Sequence, residues 1–224
     1  MQVKYFRKRT LGRESEYEDA VVNSISDLFP AKQDPTWVAG SIAIGAGRPD
    51  LVVAYCNPQV VALADCSLED DRILALAREC GRMSFGMLVD VFRIRENQLH
   101  KRIEALKSGS AIQEKSGNFS LVTPWKNIIR DLVTIEVKVS DWKRAFEQAK
   151  RNTIFAHRSY VALPEELCNR IDVMQMAKRL GIGVVSVNDS GAQVLKTAIR
   201  TTPKVWVYYY RLALLAAKHL VIPA

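Results

Sequence analysis

Apolar residues recur at intervals of three and four from Glu14 to Phe29, with Val21, Val22, Ile25, Leu28 and Phe29 on one side and Pro30 at the end. That spacing predicts an amphipathic helix. Glu18 lies three and four positions before Val21 and Val22, and Glu14 one turn further back, so both carboxylates fall on the apolar face. Two strands are predicted next, Val38 to Ile44 and Leu51 to Tyr55. Gly45-Ala46-Gly47-Arg48-Pro49-Asp50 joins them and delivers Asp50 to the start of the second strand. Three helices follow: Leu68 to Cys80, a helix capped by Ser84 and carrying Phe85, Leu88, Val89 and Phe92, and Glu96 to Lys107 with Leu99, Ile103 and Leu106 inward. Ala111 to Glu114 and Phe119 to Val122, on either side of Lys115-Ser116-Gly117-Asn118, form a β-hairpin.

An apolar run from Leu132 to Val139 then reads as a buried strand. A helix from Asp141 to about Ala156 follows, with Trp142, Ala145, Phe146, Ala149 and Thr153 along one stripe. Ser159 to Leu163 and Gly183 to Val187 are strands, separated by a helix from Pro164 to Leu180. Gln193 to Ile199 is a last strand, and Pro203 to Leu220 a helix rich in apolar residues. Within this pattern the triplet Glu136-Val137-Lys138 stands out. Side chains two apart on a strand share a face, and a carboxylate with an ammonium on a strand built for burial is costly unless each meets a partner or a ligand.

Composition narrows the class. An apolar fraction of 48% and a charged fraction of 25% are ordinary for a soluble globular chain, and 224 residues make one large domain or two small ones. No apolar stretch reaches membrane-spanning length, and the basic N-terminus leads into no signal-peptide core, so an intracellular, cytoplasmic protein with no membrane partner is expected. Cys56, Cys66, Cys80 and Cys168 show no CxxC spacing and the chain has three histidines, which argues for isolated reduced thiols rather than zinc. The net charge of +8 is uneven: residues 1–13 carry five basic groups and no acidic one, and residues 191–224 the same. Such excess fits nucleic acid, although it also serves solubility or other anionic surfaces.

A helix bearing Glu18, a strand, Pro49-Asp50 on a strand, Glu136-x-Lys138 on a strand, a helix and a strand together resemble the PD-(D/E)xK, or restriction-endonuclease-like, nuclease superfamily over roughly residues 14–55 and 131–190. The resemblance implies an α/β fold with an αβββαβ core. It also implies Mg²⁺ (or Mn²⁺) held by Asp50, Glu136 and the Val137 carbonyl, with Lys138 orienting water or stabilising the transition state. Glu18 would join the site from the first helix, with Glu14 its substitute, and Gln148 would join from the helix after the Lys-bearing strand. The chemistry is consistent with that set: phosphodiester cleavage uses a hard cation, and magnesium prefers oxygen ligands while keeping several waters. Asp50 and Glu136 are 86 positions apart, wider than the family usually has. Three helices and a hairpin fill the gap and resemble a winged helix-turn-helix domain, inserted at 67–126 between the two parts, 1–66 and 127–224, of the nuclease-like domain.

Charge supports DNA as the partner. Residues 67–90 hold three basic and five acidic groups, whereas 91–126 hold seven and three. Arg93 and Arg95 at the entrance of the third helix, Asn97 and Lys101 on its outward face, and Lys115 at the wing tip are the candidate DNA-binding residues. Glu104 shares that outward face. Each residue also has a plainer reading: Pro49-Asp50 as a turn, Glu136 and Lys138 as a solvent-facing ion pair, Glu18 as a first-turn acid, Gln148 as structural, and the winged segment as a protein-interaction module. The expectation is thus a metal-dependent DNA endonuclease, against a non-catalytic DNA-binding or regulatory protein on a nuclease-like scaffold. The apolar C-terminal helix could additionally serve a homodimer.

Overall fold

A computed structural model describes residues 3–30, 34–45 and 47–220. In chain order its elements are β1 (Val3–Tyr5), α1 (Arg13–Asn23), α2 (Ile25–Leu28), β2 (Thr36–Gly40), β3 (Leu51–Cys56), α3 (Asp71–Cys80), β4 (Met83–Ser84), α4 (Phe85–Phe92), α5 (Glu96–Ser108), β5 (Ile112–Lys115) and β6 (Asn118–Leu121). They continue with β7 (Ile129–Val137), α6 (Trp142–Asn152), β8 (Arg158–Pro164), α7 (Glu165–Cys168), α8 (Ile171–Leu180), β9 (Gly183–Asn188), β10 (Gly191–Lys196) and α9 (Trp206–Leu220). The fold is mixed α/β, with a seven-stranded sheet in the order β1-β2-β3-β7-β8-β9-β10 and a three-stranded sheet in the order β4-β6-β5. The chain divides into two units, one made of residues 1–55 and 131–204, the other of 56–130 and 205–224.

The first unit holds the large sheet between two helical layers. On one face Val21, Ile25 and Phe29 pack on Val38, Leu51, Val53, Val133, Ile135 and Val137; on the other, Trp142, Ala145, Phe146 and Ala149 of α6 and Val173 and Ala177 of α8 pack on Val161, Leu163 and Val184. A strand covered on both faces reads as an unbroken apolar run, which is why β7 shows no alternation. Parallel pairing of β7 with β8 and of β8 with β9 requires crossovers, and α6 and the α7–α8 segment supply them.

Several predicted elements are divided or shifted, among them the last strand, which spans Gly191–Lys196 rather than 193–199. The helix expected over 14–29 breaks at Ser24, whose Oγ accepts from the Ala192 amide at 3.3 Å, so a tertiary bond fixes the break. The helix expected over 164–180 is interrupted where Arg170 turns extended (ψ 136°). The strand expected over 38–44 spans 36–40 instead, because Ser41 enters the left-handed region (φ 56°). β1 was not anticipated; it is three residues long and pairs in parallel with β2.

In the second unit Ser84 caps α4 as its sequence indicates, accepting from the Met87 amide at 3.2 Å. The β5–β6 turn uses positive φ at Ser116 and Gly117, the backbone of a two-residue hairpin turn. Helix α9, expected with the nuclease-like part, belongs to this unit. Tyr209 Oη donates to the Ile129 carbonyl (2.8 Å), Tyr210 Oη to the Trp125 carbonyl (2.9 Å), and Arg211 pairs with Asp71 (2.5 Å). Residues Leu212–Ala217 of α9 are buried in the chain itself, so the apolar face that suggested a homodimer is already covered. The unit boundaries accordingly fall at 55/56, 130/131 and 204/205 rather than at 66/67 and 126/127.

Among the described residues no helix is long and apolar enough to cross a membrane, and no disulfide joins the four cysteines. Packing at the β8–β9 junction is tight enough to test. A Cβ on Gly183 would lie 2.2 Å from the Tyr160 ring and 2.9 Å from the Ala198 amide nitrogen, a backbone atom that cannot rotate away. Gly183→Ala is expected to lower stability by about 1–3 kcal/mol, read as a lower urea midpoint; an unchanged midpoint would contradict this packing.

Candidate active site

The loop between β2 and β3 aims Asp50 at the end of β7. Its two ends are tied together by the Ser41 amide donating to the Asp50 carbonyl at 3.0 Å, and Pro49 is buried. Asp50 Oδ2 accepts from the Val137 amide at 2.8 Å and from Lys138 Nζ at 3.2 Å. Lys138 Nζ also donates to the Val137 carbonyl at 2.7 Å and lies 3.5 Å from Glu14 Oε2. Since Val133, Ile135 and Val137 face α1, the alternation of the strand turns Glu136 toward α6. There it is 1% exposed, and its Oε1 accepts from Asn152 Nδ2 at 2.6 Å. Its Oε2 is buried and accepts no hydrogen bond from an N–H or hydroxyl group.

The electrostatics follow from this crowding. Burial raises the Glu136 pKa well above the usual carboxylate range, and the charge of Asp50 and a hydrogen bond with its carboxyl raise it further; the Asn152 hydrogen bond and Lys138 oppose them. Glu18 is pushed up to about 7 by burial and then by Asp50, with Arg9 and Lys138 opposing. For Lys138 burial works against the charged form, but Asp50 and then Glu14 outweigh it and hold the ammonium charged. A single lysine therefore faces more carboxylate than it neutralises. That crowding is relieved either by a proton on Glu136 or by a further cation.

The expected residues are distributed unevenly. Asp50 meets Val137 and Lys138, and Glu136, turned toward α6, lies close enough to Asp50 to feel its charge. Glu18 instead pairs with Arg9 Nε at 3.2 Å, while Glu14 is the α1 carboxylate nearer Lys138. Arg9 belongs to an N-terminal segment without periodicity, so nothing in the helix pattern revealed it. Among the described residues no group of three His, Cys, Asp or Glu side chains is placed to hold a metal, so Glu18, Asp50 and Glu136 do not form a ready-made three-carboxylate cage. The Val137 carbonyl is engaged by Lys138 rather than open. Gln148 is half-buried on α6 with Oε1 unpaired, one turn from Asn152, and has no hydrogen bond to the Asp50–Glu136 pair. Asn152 is the residue the pattern did not single out. It extends the buried stripe Trp142, Ala145, Phe146, Ala149, and an amide in that place is the signal that could have exposed it.

Asp50 and Glu136 offer carboxylate oxygens, a donor type suited to Mg²⁺ or Mn²⁺. Asp50 and Glu136 would hold such an ion, which keeps most of its waters and so does not need a third carboxylate.

In the second unit Arg93 closes α4 in the left-handed conformation, Arg95 precedes the first turn of α5, and Asn97, Lys101 and Lys115 are exposed. Other cations of the same elements are spoken for: Arg102 by Glu69 and Asp70, Lys107 by Glu104 (2.9 Å) and Glu114 (3.0 Å). A polar hollow of about 480 Å³, lined by Arg82, Gln113, Lys115, Ser116, Asn118 and Ser120, opens beside the hairpin.

No protein-family model, curated protein or solved structure matches the chain.

The raised pKa of Glu136 has a consequence for stability. A carboxyl whose folded pKa exceeds the unfolded value contributes stability fully present below about pH 4.5 and lost as pH rises through the folded pKa. Glu136→Gln cannot ionise, so in EDTA it should match wild type at pH 5 and exceed it at pH 8 by about 2 kcal/mol. Urea midpoints at the two pH values measure this; a variant less stable than wild type at pH 8 would refute it.

Proposed function

We propose that the chain is a metal-dependent DNA endonuclease of the PD-(D/E)xK type, carrying a winged helix-turn-helix module. The observation that carries this reading is the meeting of Asp50 with Val137 and Lys138 across 87 and 88 positions of sequence, beside a buried Glu136 with one oxygen that no N–H or hydroxyl group reaches. The order α1, β2, β3, β7, α6, β8 supports it, since it follows the αβββαβ arrangement that the resemblance implies. The helices α3, α4 and α5 followed by the β5–β6 hairpin support the winged-helix assignment of the second unit.

In this reading Asp50 and Glu136 would hold the ion, which would supply neutralisation of developing phosphate charge and a lowered pKa for an attacking water. Asp50 also orients Lys138, whose ammonium is held charged and can donate to a phosphate oxygen or to the water. Arg93, Arg95, Asn97, Lys101 and Lys115 supply DNA affinity, and the covalent link between units raises the local concentration of duplex for the site. The second reading, a non-catalytic DNA-binding protein on the same scaffold, is favoured by one observation. Lys138 already satisfies Asp50 and the Val137 carbonyl, an arrangement that stabilises the strand end without a metal.

Supercoiled plasmid separates the two. The nuclease reading expects nicking with Mg²⁺ or Mn²⁺, none in EDTA, and a loss of at least about 100-fold for Asp50→Ala and Lys138→Ala. Wild type that nicks nothing, or variants that nick as well as wild type, would exclude it. DNA binding that persists in EDTA and weakens with salt, without cleavage, supports the second. Under either reading Lys101→Ala combined with Lys115→Ala should reduce the salt slope of binding by about 1.8, the contribution of two phosphate contacts. An unchanged slope would remove these lysines from the DNA surface.

A further inference from the structure

Helix α6 is N-capped by Asp141, whose Oδ1 accepts from the Arg144 amide at 3.1 Å, and its buried stripe is apolar until Asn152. Asn152 is 2% exposed and spends its carboxamide on Glu136 alone among the side chains bonded to it: Nδ2 donates to Oε1 at 2.6 Å. Its other end faces the loop that carries Asp50, where a Cβ built on Gly47 would sit 3.9 Å from Asn152 Oδ1. A carboxamide placed this way cannot turn over without setting an oxygen against the carboxylate, so it fixes which oxygen of Glu136 is used. The oxygen left over, Oε2, is the one that no N–H or hydroxyl group reaches.

Resting on the metal-site reading above, we propose that Asn152 is a positioning residue that clamps Glu136 through Oε1 and reserves Oε2 for the metal ion. An apolar residue would fill the stripe as well, and the amide is costly to bury unless bonded. What it adds is a fixed rotamer and a donor that favours the ionised carboxylate. Partners of this kind behind a metal-bound carboxylate typically change affinity 10–100-fold when removed.

Mn²⁺ titrated calorimetrically into the full chain, well below the unfolding temperature of each variant, tests this. Wild type should bind Mn²⁺; Asn152→Ala and Asn152→Leu should bind about 10–100-fold more weakly, and Asn152→Gln, which keeps the donor, should recover part of the loss. A merely structural Asn152 would shift the unfolding temperature in EDTA while leaving the Mn²⁺ affinity of the folded variants at the wild-type value, and that result would overturn the proposal. Wild type that binds no Mn²⁺ would sink the metal-site reading itself and the proposal with it. Should the variants not fold, the wild-type side-chain amide decides: its Asn152 resonance should shift on adding Mg²⁺, and an unmoved resonance in protein that binds Mg²⁺ overturns the clamp.

Discussion

The bond from the Val137 amide to Asp50 Oδ2 at 2.8 Å joins the beginning of β3 to the end of β7. Everything at the candidate site is arranged around it. It holds Asp50 where Lys138 can reach the same oxygen, and it brings a second carboxylate against Glu136, which is already desolvated by the strand and by α6. Two carboxyl groups so placed compete for the ionised state. A fold selected for stability alone would replace one of them with an apolar side chain; keeping both is the kind of local cost that functional sites carry.

Much of this arrangement was legible in the sequence because the surrounding periodicity is strong. The apolar run of β7 and the stripe of α6 define their elements without ambiguity, and against that background Glu136 and Lys138 appear as exceptions. Pro49-Asp50 was legible as a connection ending on a strand. Other features depend on contacts between segments far apart in sequence. Glu18 sits on the apolar face as its spacing implies, yet its partner Arg9 comes from a segment with no period, and the path of that segment follows from tertiary packing. Asn152 ends a helix, where polar residues are common, and only its place on the buried stripe of α6 sets it apart from an ordinary helix end. The break at Ser24 and the placement of α9 depend on bonds to Ala192, Ile129 and Trp125, which local propensity does not encode.

The second unit divides its charge in a way composition alone conceals. Lys107 and Arg102 contribute to the positive count of α5 but are spent on neighbouring carboxylates. Arg93, Arg95, Lys101 and Lys115 remain exposed, so the usable basic surface is smaller than the count suggests and lies toward the start of α5 and the hairpin. On the proposed reading, these four with Asn97 would be the residues that meet a phosphate backbone.

On the proposed reading the carboxylates around Lys138 hold a divalent cation. Anomalous diffraction from a crystal grown with Mn²⁺ tests it most directly. The account predicts one anomalous peak bonded to Asp50 and to Glu136 Oε2, with Glu136 Oε1 still on Asn152. A crystal with Mn²⁺ bound elsewhere and none between those carboxylates would contradict it.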